Sequence, residues 1–470
     1  MSPHTQPAIN HSLHRQRTAR ALGRLAVCAL VVGVAGCSGP ARAKVRLEAY
    51  SWWKRPSEQR AFDNVLRIYN AGRGDVEAVN QVSDTNADAV RGTLTARLLA
   101  GAPPSTFQAN AGADLLRWTV VDTNDPAVPS ASRIADLSPL FRRDGLGDAL
   151  PGPLLDALVV GPARAPFAVP INIHRLNVIY YNTRSLAAFA ARSAGRSFLD
   201  LGVLCPVDLE DRLAHPESKL DLTIAVGTKD SFALTLFALE SVLPAIAGAQ
   251  QYDELFHGTP AASWQTSVRQ ALRCVQYLSR SFLDDRDKSW ADALAQVQMG
   301  SADFSVMGDW ANGELSDALE RGDVDAQPFP GSEHTFVFTS DTFPLPIGAP
   351  YAEDSEALLD TIASGDAQLA FSLEKGSIPA RKDVDITTLG VRAASSRAAF
   401  ESDDVRKVLA TSGLFPPYYP DEELSAKLAL MTQTGADASS VEDVILLLSD
   451  TEPLLARWQE RLTEGSTNTP

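Results

Sequence analysis

Apolar residues first alternate along the chain and then recur at helical intervals, and this order repeats. Residues 45–50 alternate as in a β-strand, and a second strand pattern covers residues 76–79. Apolar positions three and four apart predict helices over residues 57–69 and 87–99, and a short strand is expected at 105–109. Strand, helix, strand, helix and strand at this spacing predict a mostly parallel sheet covered by helices.

The middle of the chain carries a different signal. Pro166 and Pro170 bracket a short extended segment before a strand pattern over residues 177–182. This suits a crossing between two lobes, because proline ends regular structure abruptly. Long helical patterns follow, the strand signal returns at 336–339, and the pattern is mainly helical from residue 400 onward. A chain of 470 residues is too long for one compact core and is typical of two lobes.

The first residues have the parts of a secretory signal. An acid-free segment with four arginines precedes an apolar run over residues 25–34, and Val-Ala-Gly-Cys follows at 34–37. The last motif resembles a bacterial lipobox, in which the cysteine is acylated. We therefore expect a signal peptide over 1–36, lipid on Cys37, a tether over 37–44, and an exported protein anchored to a bacterial membrane. A plain cleavable signal with an incidental cysteine is the alternative.

Two cysteines remain once the signal and the lipid site are set aside. Cys205 and Cys274 would lie outside the cytosol, where a disulfide can persist, although two buried free thiols would also fit the sequence. Neither belongs to a Cys-x-x-Cys pair or lies near a histidine cluster, so zinc and redox chemistry are not indicated.

The net charge of the chain argues against two classes of binding partner. The formal net charge is −16, and no basic stripe is present. This argues against binding to nucleic acid and against adhesion of the protein surface to an anionic membrane. The acidity favours solubility and carries no information about a ligand.

Short motifs, none of them specific alone, follow one another over residues 45–385. They are Ser51-Trp52-Trp53, Leu98-Leu99-Ala100-Gly101-Ala102-Pro103-Pro104, Phe107-Gln108, Val169-Pro170-Ile171-Asn172-Ile173-His174-Arg175-Leu176-Asn177, Ser289-Trp290, Phe304-Ser305-Val306-Met307-Gly308-Asp309-Trp310, Ser340-Asp341-Thr342-Phe343 and Lys375-Gly376-Ser377-Ile378-Pro379-Ala380-Arg381. In this order and spacing the chain resembles the extracellular sugar-binding proteins (family 1) of ABC importers, in particular the glucose/mannose-binding branch.

The resemblance implies an α/β fold of the two-lobed periplasmic-binding-protein type, with hinge strands and a ligand cleft between the lobes. The N-terminal lobe would comprise residues 45–170 and 336–376, and the C-terminal lobe residues 171–335 and 377–470. Such a protein binds a sugar, delivers it to a membrane permease, and requires no cofactor or metal. We expect a monomer that contacts the membrane only through its lipid.

A sugar offers hydroxyls at its rim and C–H groups on its faces, which proteins meet with planar polar groups and aromatic rings. The resemblance and the predicted strand ends together give twelve candidate ligand-binding residues: Trp52, Trp53, Glu58, Gln108, Asn110, Asn172, His174, Phe232, Trp290, Asp309, Asp341 and Lys375.

Several of these candidates have a structural alternative. Trp52 and Trp53 are adjacent, so one ring should face the core and the other the cleft, and we favour Trp53 for the cleft. Glu58 fits an exposed acid at a helix start equally well. His174 fits either a ligand contact or a structural histidine.

The chain also departs from the glucose/mannose-binding branch. Asn110 stands where close relatives have histidine, and Phe232 replaces a tryptophan. Residues 410–414 supply no counterpart of a ligand histidine. Glucose itself is therefore not assigned.

Two other functions remain. An anchored glycosidase would need two carboxyl groups at a set separation, one of them protonated, and Glu58, Asp309 and Asp341 would be the source. A lipoprotein of the same fold that binds a non-glucose solute and signals to a membrane receptor is the other alternative. Its closure would be the same, and the sequence does not separate it from an importer component.

Overall fold

The computed structural model describes residues 44–82, 87–119, 132–160, 164–257, 260–283, 288–411, 421–433 and 435–450. The predicted signal peptide, most of the tether and the acylation site Cys37 lie outside the described residues, as does the polar end of the chain.

Sixteen strands can be labelled in the described part of the chain. They are β1 Val45–Ser51, β2 Val76–Val82, β3 Thr106–Phe107, β4 Ala109–Asn110, β5 Val159–Val160, β6 Ala165–Pro166, β7 Ala168–Pro170, β8 Asn172–Arg175, β9 Val178–Asn182, β10 Ile224–Ala225, β11 Phe304–Met307, β12 Val324–Pro328, β13 Thr335–Thr339, β14 Asp341–Pro344, β15 Ile378–Pro379 and β16 Arg406–Leu409.

The helices of the same part are α1 Pro56–Asn70, α2 Ala87–Leu99, α3 Ala113–Thr119, α4 Ser138–Arg143, α5 Leu146–Ala149, α6 Gly152–Leu158, α7 Thr183–Arg192, α8 Leu201–Leu204, α9 Leu209–Ala214, α10 Phe232–Thr235, α11 Leu243–His257, α12 Trp264–Ser279, α13 Trp290–Met299, α14 Ala311–Glu314, α15 Ser316–Arg321, α16 Ala352–Ala363, α17 Gly365–Lys375, α18 Gly390–Glu401 and α19 Asp421–Met431. A π-helical stretch, Leu236–Val242, joins α10 to α11, a 3₁₀ turn spans Thr387–Leu389, and residues 438–450 are helical.

The first sheet is parallel, as the sequence predicts. Its strand order is β2-β1-β3, and β1 pairs in parallel with both neighbours. Helix α1 covers it with an apolar face that includes Phe62, Val65 and Tyr69. Pro56 in the first turn of α1 suits the helix start, because a proline at that position forfeits no intrahelical hydrogen bond.

A second sheet has the order β10-β11-β9-β12. Strand β9 is buried along its whole length and runs antiparallel to β11 and β12. Helix α13 packs on this sheet, and it begins with a capping box in which Ser289 and Asp292 satisfy each other's backbone N–H groups. The cap positions the first residue of α13, Trp290.

Two further sheets join distant parts of the chain. One has the order β4-β14-β7 and the other β15-β8-β13-β16. The chain passes from the first to the second at Ile171, between β7 and β8, and back at Ser340, between β13 and β14. The two crossings lie side by side, since the backbone N–H of Ile171 donates to the carbonyl of Asp341 at 3.0 Å.

Strand β16 corrects one expectation. The sequence pattern beyond residue 400 is mainly helical, and helices do occupy residues 421–431 and 438–450. Residues 406–409, however, form a strand parallel to β13. The partner strand stabilises this short segment, which has little strand signal of its own.

One helical stretch among the described residues, Phe232–Phe256, is long and apolar enough by composition to cross a membrane. Most of it is buried inside the protein, and it includes the π-helical turn. Burial by neighbouring elements is the behaviour of a core helix in a globular protein.

Candidate functional site

Five polar side chains from four separate segments converge where the crossings meet the first two sheets. Gln108 follows β3, Asn172 and His174 lie on β8, Asp309 follows β11, and Asp341 begins β14. All five are at least nine-tenths buried. Buried polar groups need partners, and here they provide them for one another.

Asp341 is the centre of this cluster and is only 5% exposed. Its Oδ1 accepts from Nε2 of Gln108 at 2.7 Å, and its Oδ2 accepts from Nδ2 of Asn172 at 2.9 Å. Burial alone would raise the pKa of Asp341, but His174, Lys375 and Asn172 outweigh it and lower the pKa. The carboxylate is therefore an ionised acceptor, which is unlike the protonated acid of a glycosidase.

His174 lies between two carboxylates. Its Nδ1 donates to Oδ1 of Asp309, and its Nε2 lies 3.3 Å from Oδ2 of Asp341. The same Nε2 also faces Nδ2 of Asn172 at 2.8 Å. Burial by itself lowers the pKa of His174, but Asp309 and Asp341 together raise it above the ordinary value. The imidazole thus holds together two carboxylates from different sheets.

Strand register identifies two more neighbours of this cluster. Asn110 on β4 is directly opposite Asp341, so its partly exposed side chain lies on the same face. Thr339 on β13 is directly opposite His174 in the same way, and its buried Oγ1 has no hydrogen-bond partner in the described part of the chain. Thr339 was not predicted, because only the pairing of β13 with β8 reveals it.

Lys375 and Glu58 form a buried ion pair beside the cluster. Nζ of Lys375 donates to Oε1 of Glu58 at 2.6 Å, joining the end of α17 to the first turn of α1. The residue after Lys375, Gly376, has φ +85°, and a Cβ there would lie 2.6 Å from Cβ of Asn312. Glycine is therefore required for the turn that places Lys375.

The two adjacent tryptophans are arranged opposite to our expectation. Trp53 is 1% exposed and packs among Phe62, Phe343 and Phe371, with ring centroids 4.9–5.8 Å away. Trp52 keeps part of its surface exposed, and its backbone N–H donates to Oε1 of Gln108 at 3.3 Å. The assignment of Trp53 to the cleft is wrong, and Trp52 is the ring closer to solvent.

A third tryptophan, Trp310, adjoins His174. Its ring lies edge-on to the imidazole at 5.3 Å, and Phe232, which is 41% exposed, lies 6.3 Å from it on another side. A Cβ on Gly308 would lie 2.1 Å from Cζ3 of Trp310. The absence of a side chain at Gly308 thus lets the indole lie against the backbone and connect Phe232 to the cluster.

Trp290 has a separate set of partners. Its backbone N–H donates to Oδ2 of Asp230 at 2.7 Å, and burial raises the pKa of Asp230. The guanidinium of Arg55 lies over its ring at 4.6 Å from the centroid. Nη2 of the same arginine donates to Oγ of Ser289 at 3.0 Å.

Two further kinds of site were considered from the sequence, a metal site and a disulfide. Among the described residues, no group of three histidine, cysteine or acidic side chains is placed to hold a metal ion. Cys205 and Cys274 are joined in a disulfide, with their Cα atoms 5.4 Å apart.

Comparisons with known proteins agree on one class. No protein-family model matches the chain. It is 28% identical over 377 residues to an ABC transporter extracellular-binding protein of Pyrococcus horikoshii, covering 77% of this chain and 80% of the relative. It is 27% identical over 345 residues to a "Probable sugar-binding periplasmic protein" of Mesorhizobium japonicum, covering 72% and 76%.

Comparison with solved structures identifies the fold. A bacterial solute receptor with an exclusive preference for β-D-galactopyranose superposes with a TM-score of 0.67. The match covers 88% of this chain and all of the receptor, at 14% sequence identity. The fold is therefore the two-lobed α/β fold of substrate-binding proteins, and the relatives are binding proteins rather than enzymes. Over most of its length the chain is similar to an extracellular-binding protein of an ABC transporter and to periplasmic sugar-binding proteins.

Proposed function

We propose that the protein binds a mono- or small oligosaccharide between its two lobes and delivers it to the permease of an ABC importer. The observation that carries this proposal is the convergence of Gln108, Asn172 and His174 on the ionised carboxylate of Asp341. Asp309 joins the cluster through its bond to His174. Carboxylate, amide and imidazole groups are hydrogen-bonding partners of sugar hydroxyls, and the aromatic rings nearby suit the C–H faces.

The crossings of the chain support a closing motion. Ile171 and Ser340 lie in adjacent connections, and Gly376 lies in a third, between α17 and β15. We propose that residues 45–170 with 336–376 and residues 171–335 with 377–470 move as two lobes about these connections. A ligand that contacts both lobes favours the closed form by the difference in its affinity for the two forms.

The binding proposal is tested with the chain from Ser38, which lacks the proposed lipid site. Mono- and disaccharides are titrated against tryptophan fluorescence and the melting temperature. A saturable change with one sugar class, lost in Asp341→Asn but retained in the surface variant Asp323→Asn, is the expected result. No saturable response to any sugar would overturn the sugar proposal, and consumption of the sugar would indicate an enzyme.

The proposed anchor is a separate point. We propose that Cys37 is acylated and holds the protein at the membrane, facing the periplasm or the cell exterior. The precursor expressed in bacteria with a labelled fatty acid should carry the label and sediment with membranes. Cys37→Ser should lose both properties, and label on the Cys37→Ser protein would contradict the proposal.

A further inference from the structure

The start of helix α1 makes an unusual number of contacts with other parts of the fold. Arg55, which precedes the helix, contacts Ser289 and Trp290 of the second sheet's helix α13. Ser57 donates to the carboxylate of Glu314 on α14, and Glu58 accepts from Lys375 on α17. Three residues at one helix terminus thus contact three different helices.

The guanidinium of Arg55 has different partners from the side chains of Ser57 and Glu58. It covers a face of the Trp290 ring and donates to one hydroxyl. Asp230 and Asp292 interact with it electrostatically, but neither forms a close ion pair with it. A cation over an indole face is a modest attraction that another flat or cationic group can replace. Ser57 and Lys375, by contrast, are held by carboxylates.

The guanidinium of Arg55 covers the ring of Trp290. Trp290 is 7% exposed, and the capping box at Ser289 together with the Asp230 hydrogen bond to its backbone fixes its position. A Cβ on Gly227 would lie 2.3 Å from the backbone nitrogen of Trp290, so the backbone beneath it is also closely packed. The backbone that carries the indole is thus held by hydrogen bonds and packing, whereas the arginine side chain has several rotatable bonds.

We propose that Arg55 competes with the ligand for the ring of Trp290 and so sets affinity and specificity. This inference rests on the proposed function. A sugar that stacks on the indole must displace the guanidinium, which then turns toward the rim of the ligand. Arg55 is a positioning residue in this scheme: it weakens the binding of any sugar that stacks on the indole, and it does so least for a sugar whose rim hydroxyls accept from the displaced guanidinium.

The test compares Arg55→Ala, Arg55→Lys and the wild-type protein by calorimetric titration with the sugar found to bind. Removal of the competitor should lower the Kd about three- to tenfold, in keeping with the strength of a cation–aromatic contact. Arg55→Lys should be intermediate. Arg67→Ala, on the same helix with its side-chain bond confined to Asn64, is the matched control and should leave the Kd unchanged.

Two further measurements separate this role from a general structural effect. In a Trp290→Leu background, Arg55→Ala should no longer lower the Kd, because the indole face for which Arg55 and the sugar compete is absent. Without any sugar, Arg55→Ala should increase acrylamide quenching of the Trp290 emission, identified by difference from Trp290→Phe.

The outcomes distinguish the two proposals. An unchanged or raised Kd in Arg55→Ala, with sugar binding intact in the wild type, would overturn the competition while leaving the sugar-binding proposal standing. If no sugar binds any variant, the binding proposal fails, and unchanged quenching would then overturn the role of Arg55 independently.

Discussion

Nε2 of His174 lies 3.3 Å from Oδ2 of Asp341, while Nδ1 of the same ring donates to Asp309. One imidazole therefore contacts a carboxylate at the start of β14 and another after β11. Asn172 also contacts the imidazole, while Lys375 interacts electrostatically with Asp341 and Arg175 with Asp309. Protonation of His174 adds a charge between two acids.

This arrangement predicts a pH dependence of stability. Because the folded protein raises the pKa of His174 above 6.5, the protonated ring stabilises the fold below that value. The contribution is lost as the pH rises through the folded-state pKa. Urea unfolding of the wild type should therefore show a free energy of unfolding that falls above pH 6.5, and His174→Asn should reduce that slope.

The control for this experiment is His215→Gln. His215 is exposed, and its Nδ1 donates to the backbone carbonyl of Asp211. That bond, with the nearby charges of Asp211 and Glu217, also raises the pKa of His215, but the ring is not buried between two carboxylates. Most of the slope should survive in that variant. An identical slope in His174→Asn and the wild type would show that the buried imidazole does not titrate in this range.

Replacement of Asp341 by asparagine should weaken sugar binding. The change removes the charge that accepts from Gln108 and Asn172 and leaves an amide facing two amide donors. Hydrogen bonds to a charged group contribute about 1.5–3 kcal/mol, so the Kd should rise about ten- to hundredfold. Calorimetry on Asp341→Asn and on the surface variant Asp323→Asn checks this, and equal Kd values would remove Asp341 from the site.

Gly308→Ala should destabilise the protein and disturb its aromatic contacts. The added Cβ would lie 2.1 Å from the ring of Trp310, which must move away from His174. Overpacking of this kind costs about 1–3 kcal/mol. Gly92→Ala in α2, where nothing lies within 4 Å of the added Cβ, is the matched control and should be neutral or stabilising. Equal melting temperatures for the two variants would contradict the contact.

The disulfide gives a fourth prediction. Cys205 and Cys274 are 69 residues apart, and a crosslink of that span restricts the unfolded chain by about 4 kcal/mol in the chain-entropy treatment. The double variant with alanine at both positions should unfold at lower urea than the oxidised wild type. A reducing agent should lower the wild-type midpoint and leave the double variant unchanged, and a reductant-insensitive wild type would contradict the bridge.

Local patterns predicted much of the fold. The parallel β2-β1-β3 sheet and helix α1 follow from apolar spacing that is contained within each element. Strand β16 was missed because residues 406–409 form a strand only beside β13, which lies about 70 residues earlier.

The sequence predicted most of the residues of the candidate site, but few of the contacts between them. Alternation showed that Trp52 and Trp53 face opposite sides, but the side that is buried depends on Phe343 and Phe371, some 300 residues away. The pairing of Glu58 with Lys375 and the position of Thr339 depend on tertiary neighbours in the same way. The residue types determine which chemistry a site can provide, while tertiary packing determines which of those residues are in contact.

The sheet β15-β8-β13-β16 has a consequence for how the chain folds. Its strands come from residues 172–175, 335–339, 378–379 and 406–409, so its outer strand is added only after more than 200 residues have emerged beyond the first. Closing such distant segments is slow, because the loop entropy is lost before the contacts form. The connections that would act as hinges in the finished protein are therefore among the last parts of the fold to be completed.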